Sequence, residues 1–305
     1  MIAQPLRPPV PVDAEGYRAR SAGSAGSADN ACRAASAGGA PTPLAVQRWR
    51  DGRFTADVDW LADELPVALE YNGVAHAVMM CSPDALDELA LGFSVSEGIV
   101  AGAHELLDLD VYREDEGLRV AMRITAQRFA ALKERRRNLA GRTGCGLCGV
   151  DSLAQALRTL PPVAGRARFD PARLSRAMAQ LDDAQPLRRL TGAAHAAGWM
   201  RADGSLACVR EDIGRHNALD KLIGALLGAG TDPASGAALL TSRASVEMVQ
   251  KAAAAGISAL VARSAPTALA VRQARALNVL LVGFARGGSL VVYAQAARLR
   301  RGEPA

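Results

Sequence analysis

The sequence predicts an α/β fold, and three observations support that class. In the second half of the chain, short apolar runs alternate with helical segments, as in a mainly parallel sheet covered on both faces by helices. The first half contains an Asn-Gly hairpin signal beside a well-punctuated helix start. The chain has 305 residues, of which 50% are hydrophobic and 22% charged, which suits a globular protein with two domains.

Composition divides the chain into five parts. Residues 1–43 are rich in Ala, Gly, Ser and Pro, so we predict a disordered tail that cannot bury enough apolar surface to fold. We expect a small α+β domain over 44–140, a mobile Cys-x-x-Cys loop with a linker helix over 141–163, and an αβα layer domain over 164–296. A basic C-terminal tail covers 297–305.

The N-terminal domain is predicted from its turns and caps, with order beginning near Val46. Two short strands within 66–80 flank Asn72-Gly73, the strongest short-range hairpin signal. Ser82 is a natural N-cap for the helix that follows. Two further elements are expected, a strand at 118–124 and a helix at 126–139.

The C-terminal domain is predicted from alternating elements. We expect strands at 193–200, 205–210, 237–241, 257–262, 279–283 and 290–293, and helices at 217–227, 244–255 and 267–276. Gly256 stands where a glycine commonly ends a helix. Ligands of such sheets bind at the carboxyl ends of the strands, where loops meet helix N-termini.

Three loops at that edge have the composition of anion sites. They are Arg210–Lys221, Thr241–Ser245 and the Gly-rich segment Gly283–Ser289. Backbone N–H groups with one arginine suit phosphate oxygens, so the three loops together favour a phosphate- or nucleotide-bearing ligand. The alternative is that Gly287-Gly288 is only a hairpin turn and that the loop Arg and Asp side chains pair with each other.

Cys145 and Cys148 form a Cys-x-x-Cys pair within the glycine-rich segment Gly141–Gly149. Such a pair can be half a zinc site, a redox couple or a carrier of sulfur. A zinc site is less favoured because there is no second Cys-x-x-Cys or His-x-x-x-His pair, and His195 lacks the His-x-Glu pattern of zinc deaminases. A redox couple is also less favoured, because a thioredoxin-like pair usually lies early in a βαβ unit, whereas this pair follows a basic helical segment in the middle of the chain. A persulfide carrier fits better, because nearby Arg142 can stabilise the thiolate.

Charge and hydropathy narrow the possible partners and the compartment. The net charge is +5, but arginines are spread along the chain and aromatic residues are 4%, which argues against nucleic-acid binding. No run of about 18 apolar residues predicts a membrane span. The N-terminus lacks a secretory pattern, and five irregularly spaced cysteines do not indicate a disulfide framework, so we expect a cytoplasmic protein.

Several motifs together resemble the formate dehydrogenase accessory sulfurtransferase (FdhD) family, over about residues 45–295. The matching segments are 91–98 (LGFSVSEG), 141–149 (GRTGCGLCG), 210–221 (REDIGRHNALDK), 242–251 (SRASVEMVQK), 264–271 (SAPTALAV) and 281–286 (LVGFAR). This resemblance implies a cytidine-deaminase-like C-terminal domain and a homodimer. It also implies a sulfurtransferase that takes sulfur from a cysteine desulfurase. The acceptor would be the molybdenum bis-molybdopterin guanine dinucleotide cofactor, which is later received by the formate dehydrogenase catalytic subunit.

The resemblance also assigns roles to residues. It places the persulfide on Cys145, with Cys148 as a second thiol, and implies no metal ligands. Cofactor contacts fall on Phe284, Ala285, Arg286, Gly287, Gly288 and Ser289, and the further candidates for holding the anionic cofactor are His195, Arg215, His216 and Arg243. A packed strand residue is an equal alternative for His195, and Asp220 and Lys221 are predicted to be helix-face charges. The alternative function is a cofactor-binding chaperone without sulfur transfer.

Overall fold

The computed structural model describes residues 41–140, without the side chains of 136–140, and residues 158–300. Its strands are β1 Thr42–Arg50, β2 Arg53–Leu61, β3 Leu65–Tyr71, β4 Val74–Cys81, β5 Leu106–Glu114, β6 Gly117–Ile124, β7 His195–Met200, β8 Leu206–Asp212, β9 Ala237–Leu240, β10 Ala259–Ala262, β11 Leu280–Arg286 and β12 Ser289–Ala294. Its helices are α1 Leu86–Ser96, α2 Ala126–Ala140, α3 Pro171–Asp183, α4 Pro186–Thr191, α5 Arg215–Gly228, α6 Val246–Ala254 and α7 Ala268–Ala276.

The described strands form a β1–β2 ribbon and two larger sheets, which confirms the α/β class. The four-stranded sheet has the order β4-β3-β6-β5, and the six-stranded sheet has the order β12-β11-β10-β9-β7-β8. Within the six-stranded sheet, only the central strands β9, β10 and β11 pair in parallel, whereas β7 and β12 run antiparallel to their neighbours. The expectation of a mainly parallel sheet is therefore wrong at both sides, because short turns join β7 to β8 and β11 to β12.

Helices cover both faces of the six-stranded sheet. On one face, Leu174, Met178 and Leu181 of α3 pack against strand residues such as Val261. On the other face, α5, α6 and α7 pack over the alternate side chains of the same strands. The αβα layering expected for the C-terminal domain is present, and it leaves the ends of the strands to carry the polar loops.

The predicted Asn-Gly hairpin is confirmed as the turn between β3 and β4. Asn72 and Gly73 have φ values of 48° and 80°, the left-handed conformation that a two-residue hairpin turn requires. The amide of Asn72 also ties the hairpin to the neighbouring strand, accepting from the backbone N–H of Ile124 at 2.8 Å and donating to its carbonyl at 3.2 Å. The predicted β6 and α2 follow.

Ser82 does not cap the helix that follows it. The helix α1 begins at Leu86, with Ala85 at the N-cap position in a left-handed conformation (φ 49°). The Ser82 hydroxyl instead lies 2.9 Å from a carboxylate oxygen of Asp212 and 2.7 Å from the ammonium nitrogen of Lys221. The Ser82 hydroxyl therefore binds buried charged side chains from distant parts of the chain, although the local pattern predicts that it caps the helix.

The two sheets share one core. Helix α1 packs across α5, so that α1 lies between the four-stranded sheet and the helices of the six-stranded sheet. One cluster of buried side chains runs from Val120 of β6 through Leu89 of α1 to Leu222 of α5 and Leu240 of β9. The N-terminal unit is thus packed into the C-terminal unit.

The ends of the described structure differ from the predicted boundaries. The first strand starts at Thr42, before the predicted start of the N-terminal domain, and the β1–β2 ribbon is absent from the sequence-based prediction. At the other end, Arg298 belongs to the predicted basic tail but is buried, donating to the carbonyl of Ala167 at 3.0 Å. The predicted disordered segment lies outside the described residues up to residue 40. No helix in the described ranges is long and apolar enough to cross a membrane.

Candidate functional site

The polar loops of the C-terminal unit meet at one edge of the six-stranded sheet. The carboxyl ends of β8, β9, β10 and β11 lie there, together with the start of the antiparallel strand β7. His195, the first residue of β7, pairs with Asp212 at the end of β8. The backbone N–H of Thr241, just after β9, donates to the carbonyl of Ala196 at 3.1 Å. The topology therefore brings the predicted loops to one side of the molecule.

His195 and His216 lie at the β7–β8 side of this edge. Burial lowers the pKa of His195, and the positive charges of Arg215 and Arg188 lower it further. Burial also lowers the pKa of His216, and the positive charge of Arg215 lowers it further, whereas Glu247 raises it. Both imidazoles are therefore neutral at pH 7. Nearby negative charge from a ligand would favour their protonated forms.

Three arginines of the predicted site have no carboxylate partner in the part of the chain that the structure describes. Arg215, at the start of α5, is half-buried, whereas Arg243 and Arg286 are exposed. Within the described residues, none of the three forms an ion pair. The alternative in which the loop charges neutralise each other is wrong for these three side chains. Their positive charge at one edge suits an anionic ligand.

The Gly-rich segment is the tight turn between β11 and β12, with Phe284 and Ala285 inside β11. Gly287 and Gly288 have φ values of 58° and 79°, which a hairpin turn requires and glycine adopts without strain. Phe284 also has a positive φ of 50°, uncommon for an aromatic residue. The predicted hairpin alternative is therefore correct for the backbone. The turn projects the exposed Arg286 at the same edge as the other loops.

Neighbouring loops support this turn. The N–H of Phe284 donates to the carbonyl of Ser264 at 3.2 Å. Pro266, in the same loop, bridges to Ala244 of the β9–α6 loop. The loops that follow β9, β10 and β11 are thus connected in series along the edge, which fixes the relative positions of Arg243 and Arg286.

Lys221 is not a helix-face charge, contrary to the sequence-based expectation. Its side chain is 0% exposed, and its nitrogen lies 2.8 Å from both Asp212 and Asp84 and 2.7 Å from Ser82 Oγ. The other oxygen of Asp212 accepts from the N–H of Gly214 at 2.8 Å. A buried ammonium ion is stable only with such partners. Asp212 is paired with His195 across β7 and β8, so this buried cluster lies directly beside the candidate site.

Asp220 is buried as well. Its carboxylate lies 2.8 Å from the ammonium nitrogen of Lys251 and accepts from the hydroxyl of Ser96 at 2.7 Å. Lys251 also pairs with Glu97 at 2.8 Å. Burial by itself would raise the pKa of Glu97, but Lys251 and Arg158 outweigh it and hold that pKa below its usual value.

The corner at the end of α1, Ser96–Gly98, binds residues from both sides of the Cys-x-x-Cys segment. Arg135 of α2 donates to the carbonyls of Glu97 at 3.2 Å and Gly98 at 3.5 Å. Arg158 donates to the carbonyl of Ser96 and lies 3.7 Å from the Glu97 carboxylate. The two arginines precede and follow residues 141–157, so the chain enters and leaves that segment near one corner.

The predicted catalytic residues Cys145 and Cys148 lie outside the described residues. Residues 151–157, which make up most of the predicted linker helix, also lie outside the described residues. The described residues 158–160 are not helical. Among the other cysteines, Cys81 is a free, buried thiol. Cys208 of β8 is also buried, and Arg210 lies 3.4 Å from its sulfur atom.

Several residues that shape the edge were not among the predicted site residues. Glu247 lies 3.0 Å from the ring nitrogen of His216. Glu211 accepts from the N–H groups of Leu187 and Arg188 at 2.9 Å and so holds α4 beside His195. Glu247 could have been identified from the sequence, because it lies within the segment 242–251 that carries the family resemblance. No sequence pattern indicated that α4 lies at the site.

The chain matches the model of the FdhD/NarQ family over residues 62–300. It is 52% identical over 270 residues to the sulfur carrier protein FdhD of Cupriavidus necator. The aligned region covers 87% of this chain and 94% of the relative. The corresponding protein of Bordetella petrii is 49% identical over 258 residues, 84% of this chain and 93% of the relative.

The fold is also that of a solved relative. A crystal structure from Desulfotalea psychrophila, assigned as a formate dehydrogenase accessory protein, has a TM-score of 0.66 and 22% sequence identity. The match covers 85% of this chain and 99% of that chain. The family match spans both sheets, the three arginines at the strand edge and the Cys-x-x-Cys segment between the two units. By its sequence and its fold, the chain belongs to the FdhD/NarQ family.

Proposed function

We propose that this protein is a sulfur carrier that serves formate dehydrogenase. Cys145 accepts sulfur from a cysteine desulfurase as a persulfide and passes it to the molybdenum bis-molybdopterin guanine dinucleotide cofactor. The observation that carries this proposal is a group of guanidinium groups at one sheet edge that have no ion-pair partner among the described residues, Arg215, Arg243 and Arg286. The names of the relatives, sulfur carrier proteins, support the sulfur chemistry.

The edge fits a long anionic acceptor better than a small anion. Neighbouring strands lie about 4.8 Å apart, and β11 and β7 are separated by β10 and β9, so the two sides of the edge are roughly 15 Å apart. A single phosphate cannot bridge that distance. A dinucleotide cofactor carries a pyrophosphate and two ends, and it can contact Arg286 on one side and Arg215 with His195 on the other.

The donor step is an exchange between sulfur atoms. The Cys145 thiolate attacks the terminal sulfur of the desulfurase persulfide, a new S–S bond forms, and the desulfurase cysteine leaves as a thiolate. In the release step, Cys148 attacks the Cys145 sulfur, which forms a Cys145–Cys148 disulfide and frees hydrosulfide beside the acceptor. The step balances, because the thiols of Cys145 and Cys148 supply the two electrons that reduce the outer sulfur of the persulfide to hydrosulfide.

The partners follow from this sequence of steps. The protein meets the cysteine desulfurase as donor, and it meets the formate dehydrogenase catalytic subunit as the destination of the sulfurated cofactor. We also propose a homodimer that works in the cytoplasm. Neither a nucleic acid nor a membrane is required by this chemistry.

Mass spectrometry of the full chain, after incubation with a cysteine desulfurase and cysteine, tests the proposal. We expect a gain of one sulfur atom on the peptide containing Cys145, lost in Cys145→Ala and retained in Cys32→Ala. Cys32 is a matched control because it lies in the N-terminal tail. Absence of sulfur on the wild-type peptide would favour the alternative, a cofactor-binding chaperone without sulfur transfer.

A further inference from the structure

Arginines from two distant segments meet at the edge of the six-stranded sheet opposite the candidate site. Strand β12 runs antiparallel to β11, so that Ala294 at its end lies beside Leu281 at the start of β11. The chain continues there through a short 3-10 turn, Ala296–Arg298. The segment that leads into α3 lies alongside, because the N–H of Arg300 donates to the carbonyl of Phe169 at 2.8 Å.

Arg298 is buried at this edge without a carboxylate partner among the described residues. Only 8% of the residue is exposed. Its guanidinium group donates to the carbonyl of Ala167 at 3.0 Å, and to the carbonyl and the hydroxyl of Ser258 at 2.6 and 2.9 Å. All these acceptors are neutral, whereas a buried charge is usually paired with an opposite charge. A bound anion nearby would supply that negative charge.

Two exposed arginines line a groove beside Arg298. The groove has a volume of about 660 Å³ and is named here the arginine groove, lined by Arg168, Ala296, Ala297, Leu299 and Arg300. Neither of its arginines forms an ion pair with a described residue. The neighbouring carboxylate of Asp170 accepts from the N–H of Ala172 at 2.8 Å and caps α3. The charge of the groove is therefore not neutralised by the described part of the chain.

We propose that the arginine groove binds the phosphate group of a small phosphate monoester. Two guanidinium groups line the groove, and a third belongs to Arg298, the residue between Ala297 and Leu299. Guanidinium groups bind phosphate oxygens through paired hydrogen bonds. A phosphate monoester carries about −1.5 to −2 charges at pH 7, so it offsets more of this positive charge than a single carboxylate does. The proposal concerns the opposite edge from the candidate site and does not rest on the sulfur-carrier function.

The rest of the groove indicates what carries the phosphate. Its volume lies within the range of about 300–1,000 Å³ that is typical of small-molecule sites, so there is room for an organic group beside the phosphate. The other lining side chains are small and aliphatic, and none of the described lining residues is aromatic. A nucleobase would have no ring to stack on. A short aliphatic phosphate such as glycerol 3-phosphate therefore fits the groove better than a nucleotide.

Calorimetric titration of the full chain with glycerol 3-phosphate tests the site. We expect Arg168→Ala and Arg300→Ala each to weaken binding about tenfold, because each removes a charged hydrogen-bond donor. Arg272→Ala on α7 and Arg286→Ala at the opposite edge should bind like the wild type. Both groove arginines are exposed, so these variants should stay folded, which circular dichroism checks. Glycerol 3-phosphate should also raise the Tm of the wild type but not that of the variant with both substitutions.

The other possible results would each overturn the proposal. These are a wild type that does not bind glycerol 3-phosphate, and an affinity that is the same in the wild type and in the variant with both substitutions. Weaker binding in Arg286→Ala alone would place the phosphate at the candidate site instead. Tighter binding of a hexaglutamate peptide than of glycerol 3-phosphate would identify the groove as a surface for an acidic protein segment. Sulfur loading of Cys145 is a separate measurement, so its failure would leave the groove assignment standing.

Discussion

Gly92 of α1 and Gly224 of α5 meet where the two helices cross. A methyl group placed on Gly92 would lie 2.8 Å from the backbone nitrogen of Gly224 and 1.7 Å from the carbonyl oxygen of Asp220. On Gly224 it would lie 1.9 Å from the carbonyl oxygen of Glu88. The helix backbones are therefore in direct contact, and only glycine fits on either side.

Alanine at either position should force the helices apart. We expect Gly92→Ala and Gly224→Ala each to lower the free energy of unfolding by at least about 2 kcal/mol, the range for overpacking a tight contact. Urea unfolding measures the change. Gly228→Ala is the control, because Gly228 ends the same helix with no atom within 4 Å of the added methyl group. There alanine should be neutral or stabilising by up to about 1 kcal/mol.

Anchoring at the Ser96–Gly98 corner should control sulfur loading. We expect Arg158→Ala to slow the sulfur loading of Cys145 about tenfold, since loss of positioning alone can cost that much, while the protein stays folded. Arg128→Ala is the control, because Arg128 lies on α2 but pairs with Glu105 at 2.7 Å, away from the corner. Loading as fast as the wild type in Arg158→Ala would show that the anchor has no part in transfer.

Guanine nucleotide binding should strengthen as the pH falls. Burial and then Arg215 lower the pKa of His195 in the free protein, and a bound pyrophosphate would raise it. A group with a higher pKa in the complex takes up a proton on binding, so affinity rises as pH falls through the bound-state value. Calorimetric titration with GDP between pH 8 and 6 measures the slope. We expect His195→Gln to flatten it, and a flat wild-type profile would contradict the assignment.

Arg286 should contribute to the same affinity. Its guanidinium group is exposed and has no ion-pair partner among the described residues. A hydrogen bond to a charged group is worth about 1.5–3 kcal/mol, so Arg286→Ala should weaken GDP binding at least tenfold. Arg272→Ala, an exposed arginine on α7, should bind like the wild type. Unchanged affinity in Arg286→Ala would remove this turn from the site.

The elements most accurately predicted from sequence were those fixed by local chemistry. The Asn72-Gly73 hairpin, the strands β9 to β11 and the glycine after α6 depend on periodicity and backbone conformation within a few residues. His195 starts β7 and reaches the edge only because β7 runs antiparallel to its neighbours. The convergence of Arg215 and Arg243 followed from the rule that the carboxyl ends of strands share an edge. For these residues a local pattern was sufficient.

The errors occurred where distant residues decide the structure. Ser82 has the pattern of an N-cap, but its hydroxyl is used by Asp212, 130 positions later. Lys221 follows the spacing of a solvated helix face, yet it is buried among carboxylates from both units. Neither partner can be read from neighbouring sequence, because the tertiary contacts override the local preference. The β1–β2 ribbon was missed because no hairpin turn was recognised at Asp51-Gly52.

The core shared by the two sheets limits how the protein can be divided. A fragment that starts at residue 164 would lack α1, and the face of α5 around Leu222 would meet water. Its Lys221 would also lose Asp84 and Ser82, leaving one buried carboxylate to balance it. The polar edge of the six-stranded sheet therefore cannot be isolated as a minimal domain. Exchanging the N-terminal units of two relatives would require exchanging the matching α5 surface with them.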